Sequence, residues 1–375
     1  MADKNQSLFI EYINKYLKGI VVRQVEKLND KQNYELSYLH RQLLRKEFSF
    51  SGKWETISTL NTRVSADVVA MDSSLPLKRR DIIQKASGDI PKSGMELWLN
   101  ETQLTELLTL AQMRNVQESD IVSKLFTDTP RVITGVYELM EKMFLEGFST
   151  GVAEVLPNEN TGTSVRLDYG YLTANKFGVS VLWSNPTTAK PLDDLRKVIK
   201  AAKDRDGNTI TDVWMDDVTF DLMIKTDQAK QFFAWSINPV LSLNNNANNI
   251  QLPTLEQLNA AMQRDQRFRC TIHIVDRSVI NEKNGVRTTM KPWEEGKVIL
   301  STSRQVGVLT WAQLAEMVSP VSGVVYQTAD DFILVSRFSS NTPSLREFTT
   351  SQARVVPVIC NVDQIYQLDS KTVQA

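Results

Sequence analysis

The segment from Phe48 to Pro91 constrains the fold more than any other part of the chain. Short apolar stretches such as VSADVVAM and DIIQKA alternate there with Gly and Pro, and the basic turn SSLPLKRRD lies between them. This pattern predicts strands rather than a helix. A folded-back hairpin with about 20 residues in each arm would extend roughly 60 Å at 3.3 Å per residue. Because a two-stranded ribbon is only marginally stable alone in water, we expect it to lie on another surface.

The composition is that of an ordinary globular protein, with 42% hydrophobic and 23% charged residues among 375. This length is enough for two or three packed units. The formal net charge of −1 argues against a general nucleic-acid or membrane binder, which would need a basic excess. We expect no membrane association, because neither a secretory leader nor an apolar run of about 18 residues is visible. Cys270 and Cys360 are too few for a disulfide framework or a zinc site, and we expect both to be buried and reduced in a cytoplasmic compartment.

Helical periodicity is clearest in three places. At the start of the chain, an apolar stripe predicts a short helix within an arm; it consists of Leu8, Phe9, Tyr12, Ile13, Tyr16 and Leu17. Asn100 and Gln103 have the spacing of a capping box ahead of LTELLTLAQM. The strongest helix prediction begins near Thr129–Pro130, where Pro suits a first helical turn, and stops around Gly147 to Gly151. Its apolar residues at helical spacing are Val132, Ile133, Val136, Leu139, Met140, Met143 and Phe144.

The middle of the chain predicts a mixed α/β unit. Pro191 opens a helix, and the turn DRDGN leads to the strand ITDVWM, two short helices, an Asn-rich loop, a further helix and the hairpin NEKNGVRTTMKPW. Alternating apolar residues around Leu167 predict a half-buried strand. The same alternation from Val356 to Val362 predicts a last strand, with Pro357 suggesting an edge position.

The candidates for catalytic chemistry are few. The densest group of carboxylates consists of Asp212, Asp216, Asp217 and Asp221, and paired acids can hold Mg²⁺ or act as acid and base. However, Asp217 and Asp221 are at positions i and i+4 at a helix start, where an acid is more often a cap for free N–H groups. His273 lies within the apolar strand TIHIVD, where a satisfied core or interface histidine is the favoured interpretation. No Gly-rich phosphate loop opens a helix, so the chain is predicted not to be an enzyme.

The order of these parts is more informative than any single residue. It resembles the major capsid proteins of tailed bacteriophages, which have the Hong Kong 97-type fold. Within that family the chain is most similar to the lambda-type major capsid proteins. The resemblance rests on VSADVVAMDSSLPLKRRDIIQKASGDIPK, on ITDVWMDDVTFDLMIK followed by a helix, and on MKPWEEGKVILST.

The resemblance implies an α+β fold with an N-terminal arm, a long extended β-hairpin loop, a spine helix lying on an antiparallel sheet, and a mixed α/β axial domain. The implied ranges are 1–47 for the arm, 48–98 for the extended loop, 99–189 with 341–375 for the peripheral domain, 130–148 for its spine helix, and 190–340 for the axial domain.

The resemblance also implies a function. Copies would assemble into hexamers and pentamers of an icosahedral shell that encloses DNA without sequence-specific binding, without a cofactor or metal. Scaffolding, portal and decoration proteins are the implied further partners, and the virion is the implied location after assembly in the bacterial host cytoplasm. The implied contacts between subunits include Leu75, Lys78, Arg79 and Arg80 of the extended loop. The implied core face of the spine helix consists of Val132, Val136, Leu139, Met140 and Met143.

Three alternatives stay open at this point. A bacterial nanocompartment shell has the same fold and encloses an enzyme instead of DNA. A carboxylate- or metal-dependent hydrolase would use Asp212, Asp216 and Asp217. A sheath or tail structural protein would also exchange strands between neighbouring copies.

Overall fold

The computed structural model describes residues 6–29, 37–59, 82–113, 116–157, 162, 164–237, 252–342 and 344–374. Its helices are α1 (Ile10–Asn29), α2 (Leu39–Leu43), α3 (Glu101–Gln112), α4 (Glu118–Leu125), α5 (Asp128–Thr150), α6 (Pro191–Asp206), α7 (Asp217–Lys225), α8 (Asp227–Ile237), α9 (Leu255–Arg264) and α10 (Ala315–Val318). Its strands are β1 (Leu44–Phe48), β2 (Lys53–Thr59), β3 (Ile82–Asp89), β4 (Lys92–Leu99), β5 (Val152–Val155), β6 (Val165–Asp168), β7 (Lys176–Val179), β8 (Asp212–Asp216), β9 (Thr271–Val275), β10 (Val279–Lys283), β11 (Val286–Met290), β12 (Lys297–Ser301), β13 (Gly307–Ala312), β14 (Val325–Ala329), β15 (Ile333–Ser340), β16 (Arg346–Ile359) and β17 (Ile365–Val373).

The chain divides into two compact units, each assembled from three stretches of sequence. Unit 1 contains Met1–Trp54, Gly88–Lys142 and Val308–Pro357, and unit 2 contains Glu55–Ser87, Met143–Gly307 and Val358–Ala375.

Unit 1 is built on a six-stranded sheet in the order β1-β13-β16-β15-β14, with β4 also pairing with β16. Strand β16 has β4 antiparallel on one side and β15 antiparallel on the other. Successive side chains of a strand point to opposite faces, so the sheet has two distinct surfaces. On one surface, Met95 of β4 packs against Gly135 of α5. Helix α1 lies against β14 within unit 1. In the predicted apolar stripe, Phe9, Ile13 and Leu17 are buried, Tyr12 and Tyr16 are partly buried, and Leu8 is 45% exposed.

Local signals fix the helix starts in unit 1. The predicted capping box is confirmed: the Asn100 side chain accepts the Gln103 N–H at 3.0 Å, and the Gln103 side chain accepts the Asn100 N–H at 3.0 Å. Helix α5 has Pro130 in its first turn, as predicted, and extends two residues beyond the predicted range at each end.

Unit 2 is built on a five-stranded sheet in the order β7-β17-β12-β8-β9. The pairs β7–β17 and β8–β9 are parallel, and the other two pairs are antiparallel. Apolar residues of α6, α7 and α9 form its core with β8, β12 and β17. The predicted helix at Pro191 is confirmed. Its C-cap is Gly207, which lies in the predicted DRDGN turn and has a left-handed backbone conformation. The predicted hairpin is confirmed as β10 and β11.

The end of the chain differs from the prediction. The strand containing Val356 ends at Ile359 and is followed by a short 3-10 turn and by β17, so it is not the last strand. Burial does not alternate along this stretch, because Val355, Val356, Val358 and Ile359 are all fully buried. The edge position is also wrong for the strand as a whole, since β16 has neighbours on both sides. Pro357 itself lies beyond the stretch of β16 that is registered with β4 and β15, where its missing N–H is tolerated.

The two cysteines differ in burial. Cys270 is buried as predicted, whereas Cys360 is only partly buried, so the prediction for Cys360 was wrong.

Strands β2 and β3 pair as a separate two-stranded sheet, the arrangement expected for the two sides of the hairpin, while its connecting residues 60–81 lie outside the described part of the chain. Within the described ranges, no helix combines the length and the apolar character needed to cross a membrane.

Candidate functional site

A groove of about 650 Å³ lies on one surface of the unit 1 sheet. Its floor consists of residues of β4, β15 and β16, and its rim includes Glu316 of α10 and Val321 and Val324 between α10 and β14. The groove is opposite the surface that packs on α5, because residues Gly94 and Glu96 of β4 alternate with Met95.

Aromatic rings form a row across three strands of this surface. Trp98 of β4, Phe348 of β16 and Phe338 of β15 occupy directly paired positions. The ring centroids are 6.3 Å apart between Trp98 and Phe348 and 5.0 Å apart between Phe348 and Phe338. The Arg346 guanidinium lies over the Trp98 ring at 5.0 Å. Trp98 remains 49% exposed, and both Phe rings are half-buried.

Polar groups lie beside this aromatic row. The hydroxyls of Ser336 and Thr350 are 2.5 Å apart and satisfy each other. The Gln352 side-chain carbonyl is buried and has no hydrogen-bond partner among the described residues. Burial raises the pKa of Tyr326, and the Glu316 carboxylate adds to the effect, so the phenol remains a hydrogen-bond donor at neutral pH.

The groove is suited to binding rather than to catalysis. Partly exposed aromatic rings gain free energy when apolar side chains cover them. The acidic side chains Glu96 and Glu316 line the groove together with one base, Lys92. This combination fits an extended segment that carries apolar and basic residues.

The three carboxylates of the hydrolase alternative have separate partners. Asp216, not Asp217, is the N-cap of α7: its side chain accepts the Thr219 N–H at 3.0 Å and the Gly296 N–H at 3.2 Å. Asp217 is the first residue of α7 and pairs with Lys291 at 3.2 Å. Asp212 and Asp216 are at opposite ends of β8, about 13 Å apart at the rise of a strand, so they cannot share one metal ion or one proton.

His273 is held between Asp212 and Trp214. Its Nε2 lies 2.7 Å from Asp212 Oδ1, and its ring stacks on Trp214 with centroids 4.1 Å apart. Burial lowers the pKa of His273, although Asp212 opposes the change. Burial raises the pKa of Asp212, but hydrogen bonds from Thr211, His273 and Arg304 outweigh it and hold the pKa below its ordinary value. The His273 ring therefore has both a hydrogen-bond partner and a stacking partner, as the favoured interpretation of the sequence predicts. Across the described ranges, no group of three or more His, Cys, Asp or Glu side chains is arranged to hold a metal ion.

Two sets of site residues were predicted: the contacts between subunits in the extended loop and the core face of the spine helix. Leu75, Lys78, Arg79 and Arg80 lie outside the described residues. On α5, four of the five residues predicted for the core face are buried and Leu139 is only partly buried; the buried ones are Val132, Val136, Met140 and Met143.

Sequence reasoning missed the aromatic row. The two Phe rings stand between polar neighbours, in Arg337-Phe338-Ser339 and Glu347-Phe348-Thr349, which is the alternation of a half-buried strand, whereas Trp98 stands between two leucines and gives no such signal. That signal was available, but the alignment of the rings depends on pairing between strands about 250 residues apart in sequence, β4 and β16.

Comparison with solved structures identifies the fold. The chain superposes on the protein assigned as the capsid protein of a prophage of Escherichia coli CFT073 with a TM-score of 0.55 and 11% identity, over 93% of this chain and 98% of that one. The chain has a phage-capsid-like fold. Weaker likenesses include a phage-related protein from Bordetella bronchiseptica RB50, with a TM-score of 0.48, 11% identity and coverage of 94% and 96%. A virus-like particle from Pyrococcus furiosus gives a TM-score of 0.40, 10% identity and coverage of 95% and 98%. No protein-family profile and no curated protein sequence matches the chain.

Proposed function

We propose that this chain is the major capsid protein of a tailed bacteriophage, of the lambda type within the Hong Kong 97-type fold. Copies assemble into hexamers and pentamers of an icosahedral shell in the host cytoplasm and remain in the virion. The protein has no catalytic role in this proposal. The observation that carries it is the groove of unit 1 with the adjoining row of partly exposed aromatic rings, on a chain whose fold is that of a capsid protein.

The domain roles follow from the same proposal. Residues 1–47 act as the N-terminal arm, 48–98 as the extended loop, and 190–340 as the axial domain. Residues 99–189 and 341–375 form the peripheral domain with its spine helix. Strand β4 falls within the range assigned to the extended loop, yet it pairs with β16 in the unit 1 sheet. The part of the loop that reaches a neighbour is therefore the β2–β3 hairpin and its connection.

The hairpin connection of one copy occupies the groove of the next copy in this proposal. The connection contains the apolar run VSADVVAM and the basic residues Lys78, Arg79 and Arg80. The chemistry of these residues complements that of Glu96, Glu316 and Phe338, which line the groove, and that of the adjoining aromatic rings. Contacts of this kind join different surfaces of the two copies and close into rings when the rotation permits. Interfaces between obligate partners commonly bury more than about 2,000 Å², which offsets the low stability of an isolated ribbon.

The enclosed genome needs no specific site. A net charge of −1 suits a wall that surrounds DNA without adsorbing it, because adsorption grows with the number of phosphates that a protein neutralises. Scaffolding, portal and decoration proteins remain further partners under this proposal.

Electron microscopy of the purified full-length protein tests the function. We expect closed shells from the natural chain, and a folded protein without closed shells from the variant Lys78→Glu/Arg79→Glu/Arg80→Glu. The variant Lys197→Glu/Lys200→Glu/Lys203→Glu changes the charge equally on the exposed side of α6 and is expected to form shells. Normal shells from the first variant would reject the proposed contact. Nuclease-protected DNA inside particles from infected or induced cells separates a phage capsid from an enzyme-filled nanocompartment.

A further inference from the structure

A fully buried ion pair lies on the other surface of the unit 1 sheet, away from the groove. Arg337 of β15 and Glu347 of β16 are both 0% exposed. Arg337 Nη2 is 3.8 Å from Glu347 Oε1, which is at the outer limit of an ion pair. The distance is too long for a hydrogen bond.

The other neighbours of Arg337 satisfy only part of the hydrogen-bonding capacity of its guanidinium. Its Nη1 donates to the Leu125 carbonyl at 3.2 Å, and its guanidinium lies 4.7 Å from the Phe126 ring centroid. The Asp128 carboxylate adds a favourable charge from the start of α5. Arg337 Nε and Nη2 have no hydrogen-bond partner among the described residues. Burial lowers the pKa of Arg337 to about 10 and raises the pKa of Glu347, so both charged forms are destabilised by their surroundings.

The segment Gln6–Phe9 contacts Glu347, the acidic member of this pair. Ser7 Oγ donates to Glu347 Oε1 at 2.5 Å and also accepts the Phe9 N–H at 3.1 Å. The Gln6 carbonyl accepts from Ser339 Oγ at 2.6 Å. Ser7 and Phe9 are both buried. When this segment lifts, water reaches the Glu347 carboxylate, whose pairing with Arg337 is incomplete, and the hydration of that charge offsets much of the contact that is lost.

We propose that Gln6–Phe9 is a releasable clasp that closes over Glu347 of the Arg337–Glu347 pair and opens without unfolding of unit 1. Helix α1 stays in place, because Ile13, Leu17 and Val21 are buried independently of the pair. The opening frees the start of the N-terminal arm to reach a second copy. Only that last use rests on the proposed capsid function, while the clasp itself does not.

Amide hydrogen exchange of the full-length natural protein is the first test. Exchange of the Leu8 and Phe9 amides is expected through local opening, and therefore faster than that of amides in the middle of β16, such as Thr350. If the Leu8 and Phe9 amides exchange only as slowly as those of β16, the segment has no opening of its own and the inference is wrong.

A neutral version of the pair is the second test. Arg337→Met/Glu347→Gln removes both charges and keeps an oxygen that accepts from Ser7. We expect it to slow exchange of Leu8 and Phe9 about tenfold, because neutral side chains replace an imperfectly paired buried ion pair. Glu347→Gln alone should speed exchange, since it leaves the Arg337 charge without its partner. An unchanged rate in the double variant would overturn the inference.

A matched control uses the exposed ion pair between Lys124 and Glu106, whose charged atoms are 2.5 Å apart. Lys124→Met/Glu106→Gln likewise replaces a basic residue by Met and a glutamate by Gln, but outside the clasp, and should leave exchange of Leu8 and Phe9 unaltered. A clasp that opens in a chain that never assembles would contradict the proposed function only. Assembly of a chain whose segment never opens separately would contradict this inference only.

Discussion

The ring of Phe338 stacks on the ring of Phe348, with centroids 5.0 Å apart and an angle of 16° between the ring planes. The two residues are directly paired in β15 and β16, and Trp98 of β4 is paired with Phe348 on the other side. Cross-strand aromatic pairs stabilise a sheet, yet part of this row faces solvent. Half-exposed rings in a row indicate a surface that binds a partner.

Trp98→Ser tests that surface. We expect a loss of self-association and a small loss of stability, about 1 kcal/mol or less, since one ring contact and one stacked guanidinium are removed. Trp235→Ser is the control, because Trp235 of α8 is 54% exposed and Trp98 is 49% exposed. Sedimentation velocity of both variants over a range of concentrations is the measurement. Equal self-association of the two variants would contradict a role for the groove.

Gly94 of β4 has no room for a side chain. A Cβ atom there would lie 2.1 Å from the Ser351 carbonyl oxygen of the paired strand β16. Gly94→Ala is therefore expected to force β4 away from β16 and to lower the free energy of unfolding by roughly 2–3 kcal/mol. In the control, Gly19→Ala in α1, the new Cβ meets nothing within 4 Å. That variant should be more stable than the natural chain by about 1 kcal/mol. Urea unfolding of both variants measures the difference, and a neutral Gly94→Ala would be inconsistent with the close approach.

Asp330 anchors the turn between β14 and β15. Its carboxylate accepts from Tyr137 Oη at 2.5 Å and pairs with Lys46 at 2.6 Å and Arg41 at 3.3 Å. Asp330→Ala removes a largely buried carboxylate and leaves these donors without it. The expected loss of unfolding free energy is about 3 kcal/mol. A loss below about 1 kcal/mol, the usual value of an exposed pair, would show that the anchor is unimportant.

Asp331 in the same turn has a φ of 73°, in the left-handed region that favours glycine. Its ion pair with Lys46 is mostly exposed and contributes little. Asp331→Gly and Asp331→Ala both remove that ion pair, but only glycine adopts the positive φ without strain. We therefore expect the Gly variant to be more stable than the Ala variant by about 1 kcal/mol. Equal thermal midpoints for the two variants would show that the turn relaxes without cost.

His273 should make stability depend on pH. Its pKa in the folded state is held below 6.5, so the folded protein favours the neutral ring. As the pH falls through 6.5, the unfolded chain takes up a proton that the folded protein does not, and stability decreases until the folded-state pKa is reached. Asp212 acts in the same direction at lower pH, because its folded-state pKa is below 3.8.

His273→Gln should flatten the dependence of unfolding free energy on pH around and below 6.5, relative to the natural chain. The chain contains only two histidines, so the His273 ring can also be titrated directly by NMR. A His273 pKa above 6.5 would contradict the burial argument.

Much of the fold follows from local sequence patterns. The helix α5 and the succession α6, β8, α7, α8, α9 and β9 are confirmed because each has the periodicity of its element and a clear start or stop signal. The capping box at Asn100 and the turn at Gly207 show that the sequence can predict which residue ends a helix. The cap of α7 was placed one residue late, at Asp217 instead of Asp216, because adjacent aspartates present the same chemistry and only the backbone angle separates them.

The candidate site could not be predicted in the same way. The groove exists because β4 pairs with β16, two strands separated by most of the chain. Sequence shows which residues alternate, but register decides which rings meet, and register depends on the whole sheet. The strand β17 was missed for a related reason, since its polar residues Asp369 and Ser370 suggest a loop until Lys297 pairs with Asp369 at 2.7 Å.

The central claim is that the long hairpin of one copy is stabilised by the groove of another. Cysteine crosslinking tests it most directly, with one thiol introduced at Leu75 in the connection and one at Glu96 in the groove, in separate chains that carry an isotope label or none. The account predicts crosslinks that join a labelled chain to an unlabelled chain within closed shells. Crosslinks found only within single chains, in a protein that stays monomeric at every concentration, would contradict it.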